Sequence, residues 1–270
     1  MSSFSYLMED ENESERLDKK TDVSIVQQQA CWAGLRPGMR VADIACGSGK
    51  PARALFEAVQ PEGQVVGVDG SPQRIEYAVG RYGAPGLEFV CRDLINESLA
   101  DLGLFDFIWV RFFLEYQRSN AFELVQKFAE NLKPGGILCL VDLDHNCLNH
   151  FDLPPELEQM LYGLIAKAEQ DNNFDSRMGI KLYSFLYDLG FEQIDVTMGP
   201  HHLIFGDLKA MDDFNWDRKL EVGGRRTAIP FDDFEGGFEG FKKAFKQFFS
   251  DPRRFSYTPY IACRGCKPLG

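Results

Sequence analysis

The sequence predicts an α/β protein in which helices cover both faces of a largely parallel β-sheet. Apolar runs of strand length alternate with amphipathic stretches through the first half of the chain. This alternation is typical of parallel strands joined by right-handed crossovers. The chain has 270 residues, of which 44% are hydrophobic, and this is enough for one domain with a sizeable core.

The predicted elements begin at residue 41. Pro51 suits the first turn of a helix, where its missing N–H costs nothing, and Ser71 followed by Pro72 marks the next helix start. The Lys-Pro-Gly-Gly run at residues 133–136 is predicted to stop the third helix. The predicted strands cover residues 41–45, 64–68, 87–91, 105–110, 137–141, 191–198 and 255–263. The predicted helices cover residues 51–59, 71–82, 120–132, 155–170 and 178–189.

We expect one domain over residues 1–270, because neither a repeat nor a low-complexity linker divides the chain. Residues 1–34 precede the first strand as an expected helical lid, and residues 205–252 form an expected helical cap insertion. Six phenylalanines of the cap recur at spacings of three and four, which predicts one continuous helix stripe. Either the stripe docks the cap on the core, or part of it walls a substrate pocket. The six residues are Phe231, Phe234, Phe238, Phe241, Phe245 and Phe248.

Composition argues against several classes of partner. A formal net charge of −12 disfavours nucleic acid, because a phosphate backbone binds clusters of Lys and Arg. The longest apolar runs, such as residues 137–141, have strand length and predict no membrane span. The N-terminus lacks the basic start and apolar stretch of a signal peptide, so a cytoplasmic location is expected. Cys263 and Cys266 form a lone C-x-x-C pair, and no metal site is expected without a second ligand pair.

The turn after the first predicted strand carries the most informative chemistry. Its small residues let a ligand approach the backbone at the carboxyl edge of the sheet. Gly47 and Gly49 satisfy a G-x-G-x-x-A dinucleotide pattern, which is weak alone. A P-loop is disfavoured because Pro51 follows Lys50 where Ser or Thr is required. Asp43 at the strand end would repel a pyrophosphate, but it can help to hold the ammonium group of a methionine moiety.

Two further strand ends carry carboxylates. Asp69 ends the second strand, where a carboxylate can accept both hydroxyls of a ribose. NAD enzymes share this feature, so Asp69 supports an adenosine-containing cofactor without choosing between the two. Asp93 follows the third strand and can accept from an adenine amino group, while the Leu94 N–H meets a ring nitrogen. A solvated or capping role is the alternative for each aspartate.

Together these segments resemble the class I S-adenosylmethionine-dependent methyltransferases, close in style to the ubiquinone/menaquinone-biosynthesis type. The resemblance implies a Rossmann-like sheet of seven strands, the last antiparallel, and S-adenosylmethionine as the cofactor. The matching segments are residues 39–49 (Met-Arg-Val-Ala-Asp-Ile-Ala-Cys-Gly-Ser-Gly), 66–69 (Val-Gly-Val-Asp), 92–94 (Arg-Asp-Leu), 105–107 (Phe-Asp-Phe) and 132–138 (Leu-Lys-Pro-Gly-Gly-Ile-Leu). The cofactor contacts that it implies are Asp43, Ala45, Gly47, Gly49, Asp69, Gly70, Asp93, Leu94 and Arg111.

The chain departs from the family pattern at two positions. Ala45 stands where the family loop has its first glycine, and Arg74 stands where many relatives carry an apolar residue against the nucleoside. We expect Arg74 to be a solvated helix residue rather than a partner stacked on adenine. In the family the N-terminal segment often folds over the cofactor, so Tyr6 and Arg16 are also expected contacts.

Family position places the substrate beyond the fourth and fifth strands. The protein mainly has to align the nucleophile and exclude water, and a general base is needed when a hydroxyl or carbon acid must lose a proton. Arg111 directly follows an apolar run and borders the cofactor, while Glu115 and Tyr116 come one turn later. His145 is the best-placed titratable base. An Arg111–Glu115 structural pair and a surface His145 are the alternatives.

The sequence therefore predicts an enzyme that moves a methyl group from S-adenosylmethionine to a small organic acceptor. An apolar or aromatic acceptor is expected if the phenylalanine stripe lines the pocket. Two other functions stay open. An NAD-dependent oxidoreductase is suggested by the glycine pattern and Asp69, and a non-catalytic S-adenosylmethionine-binding domain by the weak consensus at the reacting end.

Overall fold

One β-sheet organises the protein in the computed structural model, which describes residues 13–227 and 229–270. The seven predicted strands are all present, and a two-residue strand is added to them. Over the described residues the strands are β1 (Arg40–Ile44), β2 (Gln64–Asp69), β3 (Leu87–Cys91), β4 (Phe105–Arg111), β5 (Leu132–Leu143), β6 (Asn149–His150), β7 (Glu192–Phe205) and β8 (Phe255–Cys266).

The strand order confirms the predicted Rossmann-like sheet. It runs β3-β2-β1-β4-β5-β8, with β7 on the far side of β8 and the short β6 against the start of β8. Strands β1 to β5 are parallel, whereas β8 is antiparallel to both β5 and β7. The carboxyl ends of β1, β2, β4 and β5 therefore meet at one edge of the sheet, where α/β proteins bind ligands.

Helices cover both faces of this sheet. Helix starts follow the predicted chemistry, since the Ser71 hydroxyl accepts from the backbone N–H of Arg74 and Pro72 occupies the first turn. The described helices are α1 (Glu13–Lys20), α2 (Val23–Ala33), α3 (Lys50–Ala58), α4 (Pro72–Tyr82), α5 (Ala121–Glu130), α6 (Pro155–Asp171), α7 (Leu182–Asp188), α8 (Ala210–Arg226) and α9 (Phe238–Phe249). Among them, none combines the length and the apolar character that crossing a bilayer requires.

The Lys-Pro-Gly-Gly run does not end a helix as predicted. Helix α5 ends at Glu130, and the run lies inside β5, where Leu132 already pairs with Phe105. The register shifts before Phe107, so the run forms an irregularity in the strand. Asn131 caps the end of α5, and its side-chain amide donates to the carbonyls of Leu99 and Gly103 at 2.8 and 3.1 Å.

Alternate residues of each strand feed two separate cores. Ile108 and Val110 of β4 pack on the face that α5 and α7 cover, whereas Phe107 and Trp109 pack on the face that α2 and α3 cover. The period of two along a strand produces this division. Both cores hold the carboxyl edge of the sheet rigid from opposite sides.

The phenylalanine stripe belongs to a third core, inside the cap. Helix α9 begins only at Phe238, because Gly236 and Gly237 adopt φ values of 86° and 64° that interrupt a helix. The prediction of one continuous helix through the phenylalanine stripe is therefore wrong. Phe231 nevertheless packs on Phe241, with ring centroids 5.3 Å apart. Residues of α6, α8 and α9 bury one another around the fully enclosed Phe241. The stripe is thus the core of the cap.

Candidate active site

A chamber of about 880 Å³ lies at the carboxyl edge of the sheet. Its floor is formed by the residues that follow β1, β2, β4 and β5, and its walls by α1, α6 and α8. This volume is close to the upper end of the range for ligand sites. The predicted site residues that line it are Arg16, Ala45, Gly47, Asp69, Gly70, Asp93, Leu94, Arg111, Glu115 and Tyr116. Tyr6 lies outside the described residues.

The turn after β1 is tightly built. Ala45, Gly47 and Gly49 all adopt positive φ, and alanine at the first of these positions has φ 59°. A Cβ on Gly49 would lie 2.6 Å from the Cβ of Ala78 and 2.9 Å from the ring of Phe89. Gly49 therefore stands beneath the turn as a packing residue, whereas Ala45 and Gly47 border the chamber.

Asp69 is anchored by three donors. Its Oδ2 accepts from the Gly47 N–H at 2.9 Å, and its Oδ1 accepts from the Ser71 N–H at 2.9 Å. The same Oδ1 accepts from Arg74 Nε at 3.0 Å, within an ion pair that is largely buried. The expectation of a solvated Arg74 is wrong, because the start of α4 at Ser71 brings this side chain back onto the carboxylate. Asp69 thereby joins the turn after β1 to the start of α4.

Asp43 is a buried carboxyl group beneath the chamber. It is 2% exposed, and its Oδ2 has no hydrogen-bond partner among the described residues. Burial raises its pKa to about 8, and the charge of Arg111 offsets part of this rise. An unpartnered buried oxygen is costly, and a cationic group above it would remove the cost.

Asp93 combines a capping role with a place on the chamber wall. Its Oδ1 accepts from the N–H groups of Ile95 and Asn96 at 2.9 and 3.1 Å. The Asn96 side-chain amide also donates to it, and these hydrogen bonds lower its pKa. Leu94 is 5% exposed and follows on the same wall.

Glu115 is the most buried acid on the chamber wall. It is 2% exposed and accepts from the Asn146 side-chain amide at 3.0 Å. Its backbone N–H donates to Asp142 at 3.0 Å, and burial raises the pKa of both carboxyl groups. An Arg111–Glu115 ion pair, the structural alternative, is not formed among the described residues, and Arg111 instead lies over the ring of Phe112 at 4.0 Å. Tyr116, beside Glu115, contacts the ring of Phe174 with centroids 5.6 Å apart.

His145 is not among the residues that line the chamber. The chain leaves β5 through a turn in which His145 and Cys147 have φ values of 47° and 71°. This backbone presents Leu143, Asn146 and Cys147 to the chamber instead. Asn146 holds Glu115, so the loop contributes an amide where the sequence predicted an imidazole.

His201 of β7 is the lining imidazole that sequence analysis missed. Its ring lies 4.5 Å from that of Phe112 between centroids, and its Nε2 is buried without a partner among the described residues. Burial, reinforced by the charge of Lys20, lowers its pKa well below the ordinary value. The detectable signal was an adjacent histidine pair beside Pro200, where the register of β7 with β8 shifts.

Two lysines on the chamber wall were also missed. Lys20 ends α1, and burial together with the charges of Lys219 and Arg16 lowers its pKa to about 7. Lys219 of α8 reaches within 3.4 Å of Asn146 Oδ1 and lies 5.0 Å from the ring centre of Trp216. The two lysines lie in α1 and α8, which are far apart in the sequence, so no local sequence motif indicates that they share a site.

The first five strands and the turns between them resemble a known protein family. The profile of a methyltransferase domain family matches residues 41–136, which span β1 to the start of β5. Residues 41–136 are therefore similar to a methyltransferase domain. Demethylmenaquinone methyltransferases of several Staphylococcus aureus strains are 29% identical over 142 residues, covering 48% of this chain and 57% of theirs. The chain thus spans about half the length of the curated relatives it matches.

Solved structures show the methyltransferase fold over most of the chain. The YcgJ protein of Bacillus subtilis is 17% identical with a TM-score of 0.57, covering 92% of this chain and 98% of that protein. Phosphoethanolamine N-methyltransferase 2 of Haemonchus contortus, in complex with phosphomonomethylethanolamine and S-adenosylhomocysteine, is 15% identical with a TM-score of 0.59. That match covers 99% of this chain and 61% of the nematode enzyme.

Proposed function

We propose that this protein transfers a methyl group from S-adenosylmethionine to a small organic molecule. The observation that carries the proposal is Asp43, a buried carboxyl group with an unpartnered oxygen beneath the turn after β1. A carboxylate in this place suits the ammonium group of an amino-acid cofactor and repels the pyrophosphate of NAD. S-adenosylmethionine supplies a methyl group that is already electrophilic.

Each strand end has a proposed task in holding this cofactor. Asp69 and Gly70 at the end of β2 suit the ribose, and Asp93 with Leu94 suits the adenine. Ala45, Gly47 and Gly49 shape the turn that takes the amino-acid part, with Asp43 below it. Arg16 borders the same space from α1, and Arg111 ends β4 where the cofactor and acceptor parts of the chamber are proposed to meet.

The reacting end is proposed to lie between β4 and the cap. Glu115 and His201 are the groups best suited to accept a proton from a hydroxyl or carbon acid, because each has a buried polar atom on the chamber wall. Burial lowers the pKa of His201, so its imidazole is neutral near pH 7 and can act as an acceptor. Tyr116 and Asn146 would orient the acceptor or hold Glu115.

Closure of the chamber is proposed to come from the lid within residues 1–34 and the cap within residues 205–252. Helix α1 is tied to the start of α3, because Lys50 Nζ donates to the Asp18 carbonyl at 2.7 Å. Helix α8 contributes Trp216 and Lys219 to the opposite wall. Such walls exclude water and align the acceptor with the methyl group.

Calorimetric titration with S-adenosylhomocysteine and with NAD tests the proposal. We expect tight binding of the former only, and we expect Asp69→Asn to weaken it by about 2–4 kcal/mol through lost charge-assisted hydrogen bonds. Asp101→Asn is the matched control, since Asp101 pairs with Arg92 at the surface away from the chamber. Binding of NAD without binding of S-adenosylhomocysteine would overturn the proposal.

A further inference from the structure

We propose that the methyl acceptor is an organic anion whose carboxylate or phosphate group is held by Lys20, Arg111 and Lys219. This inference rests on the proposed function, because it assigns the substrate class of the same chamber. The three cations come from α1, β4 and α8, and all three line the chamber. In a protein with a formal net charge of −12, three cations lining one cavity are not expected from composition.

None of the three cations forms an ion pair among the described residues. Lys219 contacts only the Asn146 amide oxygen and the Trp216 ring. The Nε of Arg111 is buried without a hydrogen-bond partner. By contrast, Arg16 on the same wall is held by Glu13 through contacts of 2.6 and 2.7 Å. Unsatisfied cations in a cavity are costly unless a ligand completes them.

The acids that act on these cations form no ion pair with them among the described residues. Glu115 is bonded to Asn146, and Asp43 and Asp142 lie buried within β1 and β5. Burial raises the pKa of each of the three carboxyl groups. Burial and the charge of Lys219 lower the pKa of Lys20 to about 7, so its charged form is disfavoured in the chamber as it stands. An entering anion relieves this repulsion, whereas an entering ammonium ion increases it.

Part of the acceptor space is apolar. Leu161, Leu164 and Ile165 of α6 face Trp216 and Leu220 of α8 across the chamber. Such walls suit a hydrocarbon or aromatic body, while the cations fix the orientation of its charged end. The chamber therefore selects an amphipathic acid and excludes both amines and highly polar metabolites.

Two fluorescent probes of the same skeleton test the charge requirement. Anilinonaphthalene sulfonate carries an anionic group, and phenylnaphthylamine lacks it. With protein saturated by S-adenosylhomocysteine, we expect the sulfonate to bind at least tenfold more tightly, because a hydrogen bond to a charged group corresponds to about 1.5–3 kcal/mol. Equal affinity for the two probes would overturn the inference.

Charge-removing variants locate the anion. Lys20→Met and Lys219→Met should each weaken sulfonate binding about tenfold to a hundredfold and leave phenylnaphthylamine binding unchanged. Lys243→Met is the matched control, because Lys243 is exposed on α9 outside the chamber and should alter neither probe. Sulfonate affinity that is unchanged in both chamber variants would refute the assignment.

Displacement experiments distinguish the two anionic groups and separate this inference from the proposed function. Benzoate or phenyl phosphate should displace the sulfonate probe better than benzamide does, and the stronger of the two identifies the group. Equal displacement by benzamide would overturn the inference even when S-adenosylhomocysteine binds normally. Failure to bind S-adenosylhomocysteine at all would instead overturn the proposed function.

Discussion

The two halves of the chamber are built in opposite ways. The proposed cofactor half comes from β1, β2 and β3, and each of its residues lies at the end of a strand or in the turn that follows it. The acceptor half assembles α1, the end of β4, the loop after β5, β7 and the cap, which are scattered from residue 16 to residue 223. The residues of the cofactor half are therefore recognisable from short sequence segments. Those of the acceptor half come together only when the chain folds.

The halves also differ in charge. Carboxyl groups such as Asp43 and Asp69 characterise the cofactor half, while Lys20, Arg111 and Lys219 face the acceptor. A cofactor with an ammonium group and a ribose suits the former, and an anion suits the latter. With this separation of charge, the proposed cofactor and the proposed anionic acceptor would each bind in its own half of the chamber.

Phe241→Ala gives the largest expected effect and tests whether the cap is a separate core. Phe241 is fully buried among cap residues, and loss of its ring should lower the free energy of unfolding by about 3–5 kcal/mol. Affinity of the folded protein for S-adenosylhomocysteine should stay unchanged, because the strand ends belong to other cores. Urea unfolding and calorimetry measure the two quantities. Phe151→Ala, at a residue 68% exposed, is the control and should cost less than about 0.5 kcal/mol.

A pair of glycine variants measures how tightly the cofactor turn is packed. Gly49 and Gly38 have nearly equal φ values of 81° and 82°, but a Cβ on Gly38 meets nothing within 4 Å. Both alanine variants carry the cost of left-handed backbone, about 1–2 kcal/mol. Gly49→Ala should cost about 1–3 kcal/mol more because of its clash with Ala78 and Phe89. Equal loss of unfolding free energy in both variants would show that the turn is loose.

Glu13→Gln asks whether the lid opens independently of the sheet. Glu13 is 2% exposed and holds Arg16 through two contacts, so its loss should ease opening of α1 by about 1.5–3 kcal/mol. Hydrogen exchange should accelerate in residues 13–20 and stay unchanged in β1. Glu15→Gln is the control and should change neither, because Glu15 pairs with Lys19 at the surface. Equal acceleration in α1 and β1 would contradict a separate lid.

The smallest expected effect is the release of one proton from Asp43 when the cofactor binds. Its raised pKa of about 8 keeps the carboxyl group protonated at pH 7, and an ammonium group above it favours the ionised form. Affinity for S-adenosylhomocysteine should therefore rise with pH below 8, by at most about tenfold per pH unit. Arg111 and Asp69 are the charged groups that bear on this carboxyl group, and their opposing effects are already included.

Calorimetry in buffers of different ionisation enthalpy detects the released proton, and Asp43→Asn should abolish the release. Proton uptake in the unaltered protein would contradict the assignment. The same carboxyl group also affects stability, because the folded state holds its proton between pH 3.8 and about 8 while the unfolded chain does not. Raising the pH through this window should lower the free energy of unfolding, and Asp43→Asn should flatten that decline.

The sequence predicted the strands of the sheet and the turns at their carboxyl ends correctly. It was wrong about side chains whose surroundings are set by residues distant in the chain. All seven predicted strands are present, since a buried strand of a parallel sheet is a short apolar run bounded by turn residues. The placement of His145 on the chamber failed because two left-handed residues redirect the loop after β5. The solvated Arg74 failed because the fold supplies Asp69 as its partner.

The sequence alone determined the parallel strands and the acidic strand ends, because each depends on residues adjacent in the chain, and the resemblance to a family supplied the antiparallel last strand. Only the tertiary structure decided the acceptor half. Lys20, His201 and Lys219 are separated by long stretches of sequence, and packing of the lid, β7 and the cap on the sheet brings them to one chamber. Their pKa shifts arise from burial and from one another's charges, which exist only in the folded protein.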